Sequence, residues 1–224
     1  QAWGEMGIPY PNVKIIIDTM LNLPLLYWTG EADKAAMAEN HAETAARTLV
    51  RPDYTTYHTY LMDPATGKAV CGKTHQGHRD ESVWARGQAW AVYGYALSYR
   101  YTGNPGFLKV AENAAEVFIG NMPENRVPYW DFDFTDENPD IRDTSAASIF
   151  VCGLLELCAH VPEEQADRYL CYAEATMKSL REQYSTRQIP GSDGLLTEGM
   201  YHRNDGAEEC TIWGDYFYME ALMR

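Results

Sequence analysis

No stretch of this 224-residue chain is apolar and long enough to cross a bilayer, which excludes a membrane-spanning helix within it. Cations are scarce. The 18 Lys and Arg stand against 32 Asp and Glu, a net charge of −14. Nucleic acid, whose phosphates demand basic patches, is therefore excluded as a partner, and an acidic ligand has to be held by a local cationic pocket. Cysteine is sparse: Cys71, Cys152, Cys158, Cys171 and Cys210 are odd in number and form no C-x-x-C pair. A reducing compartment is expected rather than a disulfide framework. That places the chain in the cytoplasm, or in the periplasm if a leader precedes it. No P-loop, dinucleotide fingerprint or nucleophile elbow occurs, so nucleotide-driven chemistry has no support. His75 and His78 lack a third ligand for zinc, and the acids from Asp131 to Asp143 do not follow the calcium-loop pattern. Neither a metal nor a cofactor is expected, and Asp143-Thr-Ser-Ala reads as a helix cap.

The chain does contain a helical repeat, and its 46% hydrophobic content leaves ample material for a core. Thr29-Gly30 recurs as Thr102-Gly103. At the same spacing Ala38-Glu-Asn40 recurs as Ala111-Glu-Asn113, and Ala42-Glu43 as Ala115-Glu116. Each copy reads as an apolar helix, a Thr-Gly stop and a second, amphipathic helix. Glycine suits the left-handed residue that ends a helix, and Pro105 suits the first turn of the next. A weaker third copy covers 145–160 and 163–184, and a last helix covers 215–224. Between the first two pairs, 54–70 alternates ring and hydroxyl residues and turns at Pro64-Ala-Thr-Gly67, which predicts a short β-hairpin. Apolar inner helices backed by amphipathic outer ones imply an all-α helical toroid, with its ligand site on the loops at one end.

Asp18 is the outstanding ionisable group. Apart from Lys14, its neighbours in Val13-Lys-Ile-Ile-Ile17 and Met20-Leu-Asn-Leu-Pro-Leu-Leu26 are largely apolar. A carboxyl deprived of water has a raised pKa and keeps its proton near neutrality, as a general acid requires. The competing use is the N-cap of a helix over 19–28. A second cluster is Lys73-Thr-His-Gln-Gly-His78 followed by Trp84-Ala-Arg-Gly-Gln-Ala-Trp90. Its Arg86 and Trp90 are four apart and share one helix face. A planar cation beside a flat ring suits a sugar that bears a carboxylate; the competing use of such a Trp is core packing. His58, on the predicted hairpin, is a further polar candidate.

These motifs resemble the unsaturated glucuronyl hydrolases, glycoside hydrolase family 88. The resemblance is carried by Asp18-Thr-Met-Leu-Asn-Leu-Pro-Leu-Leu-Tyr-Trp28, Thr74-His-Gln-Gly77, Trp84-Ala-Arg-Gly-Gln-Ala-Trp-Ala-Val-Tyr-Gly94 and Tyr129-Trp-Asp-Phe-Asp133. Arg142-Asp-Thr-Ser-Ala-Ala147 and Trp213-Gly-Asp-Tyr-Phe-Tyr-Met-Glu-Ala-Leu222 extend it along the chain. It implies an incomplete (α/α)6 toroid, with 1–224 as one catalytic barrel domain lacking roughly the first third that family members carry, including a second aspartate. It also implies a substrate class, the unsaturated uronate-terminated oligosaccharides left by polysaccharide lyases. The family hydrates the C4=C5 vinyl ether instead of attacking the anomeric carbon. By this resemblance Asp18 is the general acid/base, and Trp3, His58, Gln76, Arg86 and Trp90 line the sugar subsite. The related unsaturated rhamnogalacturonyl hydrolases share the toroid but typically differ at the Arg-Gly-Gln-Ala-Trp segment. A non-catalytic carbohydrate-binding toroid is the other alternative.

Overall fold

The computed structural model describes residues 13–206 and 208–224. Among these residues, seven α-helices and three strands follow one another. They are β1 (Val13–Ile16), α1 (Leu23–Trp28), α2 (Ala32–Thr48), β2 (Thr59–Met62), β3 (Ala69–Lys73), α3 (Ala85–Thr102), α4 (Pro105–Gly120), α5 (Thr144–Leu157), α6 (Glu163–Ser179) and α7 (Ile212–Met223). Inner helices neighbour one another in the order α1, α3, α5, α7, while α2, α4 and α6 back them from outside. The result is an arc of an (α/α)6 toroid. Composition explains the layering. In α3 every residue from Ala85 to Ser98 is buried, as only an inner-wall helix can be, whereas α2 buries Ala38, Ala42 and Ala45 and turns its charges outward. The repeat matches this closely, since Ala38 and Ala42 in α2 and Ala111 and Ala115 in α4 are all fully buried against inner helices.

Local signals set the helix ends. Gly103 ends α3 at φ 68°, with its amide bonded to the Tyr99 carbonyl. Asn104 Oδ1 then accepts from the Gly106 amide to start α4, with Pro105 in its first turn. Between the layers Phe118 of α4 stacks on Phe150 of α5, ring centroids 3.9 Å apart, and the Tyr95 hydroxyl donates to the Ala42 carbonyl. At the ring end away from the α3 N-terminus, buried Glu156 gathers Arg100 and Arg224 (each 3.0 Å) and His160 (3.2 Å), tying α7 to α3 and α5.

Three elements differ from the sequence reading. The hairpin over 54–70 is confined to β2 and β3, with its turn at 64–67 as expected, and β1 joins it as a third antiparallel strand in register Ile16↔Thr59. His58 therefore precedes the strand. The helix expected over 19–28 is divided into a 3-10 turn, Ile17–Leu21, and α1. Pro24 has no N–H to give to the Met20 carbonyl, so the two cannot run on as one α-helix. The last helix starts three residues earlier than expected, at Ile212.

Candidate active site

The loops and first turns at one end of the arc carry the site. Asp18 lies within the 3-10 turn and caps nothing: neither that turn nor α1 has a side-chain cap bond. Its position depends on α3. A Cβ at Gly94 would sit 2.4 Å from Met20 Cβ, and one at Gly87 would meet Ile17 Cγ2 at 3.3 Å. These two glycines, seven residues apart, share one face of α3 and form the groove that seats the 3-10 turn. Asp18 is thereby set beside Trp90, Arg86 and His58. Its Oδ2 is enclosed and without a hydrogen-bond partner, while 35% of the side chain stays open. Burial raises the pKa to about 6; the Arg86 guanidinium, the segment's own backbone and the Trp90 indole N–H hold it from going higher. The indole N–H nevertheless closes no hydrogen bond of ordinary geometry.

His58 faces the same carboxylate, Nε2 to Oδ2 3.8 Å, too far for a hydrogen bond. Its Nδ1 accepts from the backbone amides of His75 and Gln76, both at 3.1 Å. Two donors on Nδ1 leave the proton on Nε2, so the ring is a neutral donor pointed at Asp18. Burial, reinforced by His75, Arg86 and Lys14, depresses its pKa to about 3. Trp84 packs against the ring at 4.3 Å.

Arg86 is almost fully buried, and its guanidinium lies over the Trp84 ring at 4.5 Å. It is not a free cation. Nη1 donates to Asp143 Oδ2 at 2.7 Å and to the Met200 carbonyl, and Nη2 donates to the Tyr201 carbonyl at 3.2 Å. Gln76 Nε2 donates to the same Tyr201 carbonyl at 2.7 Å. The segment through Met200 and Tyr201 is thus strapped across the site by the very side chains that the sequence reading assigned to a sugar. The structure brings Asp18, His58, Arg86 and Trp90 into one cluster with Gln76 at its rim. Trp3 lies outside the described residues.

No family model matches the chain. Over its whole length it is 44% identical to the unsaturated glucuronyl hydrolase of Bacillus sp. strain GL1, covering 62% of that protein. The crystal structure of that enzyme, described as responsible for the degradation of glycosaminoglycan, superposes with a TM-score of 0.92. The unsaturated chondroitin disaccharide hydrolase of Streptococcus agalactiae serotype III is 42% identical, again over all of this chain and 58% of the relative. A mutant S. agalactiae unsaturated glucuronyl hydrolase complexed with dGlcA-GalNAc6S matches 93% of this chain and 57% of its own at a TM-score of 0.84 and 39% identity.

The chain belongs to the unsaturated glucuronyl hydrolase family. It spans about three-fifths of the length of these relatives.

Further groups support the family's motifs from behind. Asp131, inaccessible to solvent, takes the His78 amide at 2.8 Å, Ser82 Oγ at 2.7 Å and the Asp133 amide at 3.1 Å, and so pins the loop that bears Gln76. Burial pushes its pKa up. Gln88, grouped with the polar candidates by sequence, is a structural bridge: Nε2 donates to the carbonyls of Tyr54 and Ala114 at 2.9 and 3.1 Å. Asp143 does cap α5, accepting from the Ser145 and Ala146 amides. No local signal in the sequence reveals its ion pair with Arg86, because the partners are 57 positions apart. Among the described residues no three His, Cys, Asp or Glu side chains converge as a metal-binding group.

Proposed function

We propose that this chain carries the proton donor and sugar subsite of an unsaturated glucuronyl hydrolase. Its substrates are oligosaccharides with a 4,5-unsaturated uronate at the non-reducing end, of the dGlcA-GalNAc6S class held by the S. agalactiae relative. One observation supports this above others: a carboxyl whose proton is retained to about pH 6 lies beside a neutral His58 and a buried guanidinium. Asp18 gives its proton to C4 of the vinyl ether, and positive charge develops at C5 and the ring oxygen. The carboxylate left behind takes a proton from water as that water adds at C5. The resulting hemiketal opens to a ketone, C1 becomes a hemiacetal that still carries the leaving sugar, and its collapse releases that sugar. Neither direct displacement at C1 nor a second carboxylate acting at the anomeric centre is needed, unlike the usual glycosidase scheme. His58 Nε2–H and the Trp90 indole N–H are donors to sugar oxygens, and Arg86 supplies the positive field that attracts the uronate carboxylate.

The test uses the full-length protein and the ultraviolet band of the conjugated uronate. Loss of absorbance on mixing supports the reading, with kcat/KM falling as pH rises above about 6, where Asp18 loses its proton. Asp18→Asn should reduce turnover by roughly 100-fold or more, the usual contribution of a positioned acid. Constant absorbance while the sugar binds would overturn the reading in favour of a carbohydrate-binding toroid.

A further inference from the structure

Among the described residues, Asp143 is the one acid in direct contact with the site's cation. It is fully buried, and Arg86 beside it keeps only 4% of its side chain exposed. Between such groups water screens less than at the surface, so their charges act on one another more strongly than exposed charges do. The two carboxylate oxygens are used differently. Oδ2 takes Arg86 Nη1 at 2.7 Å. Oδ1 takes the amides of Ser145 (3.0 Å) and Ala146 (3.2 Å), the Ser145 hydroxyl (2.5 Å) and the Met200 amide (3.4 Å). The carboxylate is therefore clamped to the first turn of α5, and Arg86 is clamped to the carboxylate.

We propose that Asp143 is a positioning residue: it fixes the Arg86 guanidinium and offsets its charge, so that Asp18 keeps the proton it has to deliver. The proposal rests on the function given above. Its physical basis is a conflict within the site. The reaction needs a cation to attract the uronate, but an uncompensated cation beside Asp18 favours the carboxylate over the acid, and Arg86 does pull Asp18 in that direction. A buried anion paired with the guanidinium relieves the conflict without removing the cation. Among the described residues, the charged and titratable groups facing this cluster are Arg86 from α3, His58 from the approach to β2, Lys14 from β1, His75 from the loop after β3 and Asp143 from α5. Of these, Arg86 is the charged group that acts directly on Asp18, so its counter-ion is the lever.

The experiment follows the Asp18 carboxyl by carbon NMR through a pH titration of the full-length protein, without substrate, beside the pH profile of kcat/KM. Asp143→Asn keeps an equally good helix cap and loses the charge. It should move both the Asp18 titration and the alkaline limb of kcat/KM to lower pH, by on the order of one unit for the loss of one poorly screened charge paired with Arg86. At pH 7 that is about a tenfold loss of kcat/KM. Asp143→Glu should recover part of the shift by restoring the charge. A role confined to capping, which Asn serves as well as Asp, predicts the titration unmoved and Tm little changed, and an unmoved titration overturns the proposal whatever the Tm. If Asp143→Asn does not fold, Arg86→Gln is read by NMR instead. It removes the cation, leaves the anion, and should move the Asp18 titration upward; no upward movement overturns the proposal. If the variants show these NMR shifts but the wild-type protein consumes no unsaturated uronate, the proposed function is defeated while the charge balance stands.

Discussion

Replacing Asp18 with Asn should make the protein more stable at neutral pH, and the size of the gain follows from the carboxyl's surroundings. An ordinary Asp loses its proton near ~3.9, whereas Asp18, enclosed by α3 and the 3-10 turn, holds its proton to about pH 6. Below about pH 4 the residue is protonated in both folded and unfolded chains and contributes nothing to the pH dependence. Between about pH 4 and 6 the unfolded chain releases its proton while the native state keeps it, so native stability falls as pH rises. Above that both states are ionised, and the native state bears the full cost of a partly dehydrated charge. Each pH unit of separation is about 1.4 kcal/mol, a ceiling of about 3 kcal/mol. Because 35% of the side chain is open to solvent, screening reduces this to about 1–2 kcal/mol. For a chain of this length the gain appears as roughly 2–8 °C in Tm. The assay is thermal melting of both proteins from pH 4 to pH 8. The difference should be near zero at pH 4, grow through pH 6 and level off above pH 7. An Asn variant less stable than wild type at pH 8, or a difference independent of pH, would refute the account of Asp18 as a dehydrated acid.

His58 should show one neutral tautomer, with the proton on Nε2, and no titration between pH 5 and 8 in nitrogen NMR; a midpoint near 6.5 would contradict its burial and paired amide donors. Gly94→Ala should lower stability by about 1–3 kcal/mol and reduce activity, since the new Cβ meets Met20 Cβ and backbone and displaces the turn that bears Asp18. Gly120→Ala, at the open end of α4, is the contrast and should be neutral or stabilising by up to about 1 kcal/mol; melting curves of the pair decide whether close approach or helix propensity governs. Glu156→Gln, which leaves Arg100 and Arg224 without their buried counter-ion, should lower stability by about 2 kcal/mol, and an unchanged Tm would show the cluster to be incidental.

How far the sequence discloses this molecule depends on how local each cause is. Helix stops at Gly30 and Gly103, the Asn104-Pro105 start and the buried alanines of α2 and α4 act within a few residues, and all were readable. Strand β1 was not, because an apolar run such as Val13–Ile16 acquires its β identity only by pairing with Thr59–Met62, far along the chain. The site divides in the same way. Apolar neighbours in sequence announced the burial of Asp18, and they are its neighbours in space because Gly87 and Gly94 let the turn settle onto α3. Asp143 shows both kinds of cause in one side chain. The oxygen facing its own helix does what Asp-x-Ser spacing predicts, whereas the oxygen facing Arg86 answers a requirement set by a helix 57 positions earlier. A residue type at a cap position is therefore an incomplete description: what a buried carboxylate balances depends on which charge the fold brings to its open side. In this ring that charge is Arg86, which also bears on the proton of Asp18, so cap, cation and acid form one coupled unit rather than three separate features.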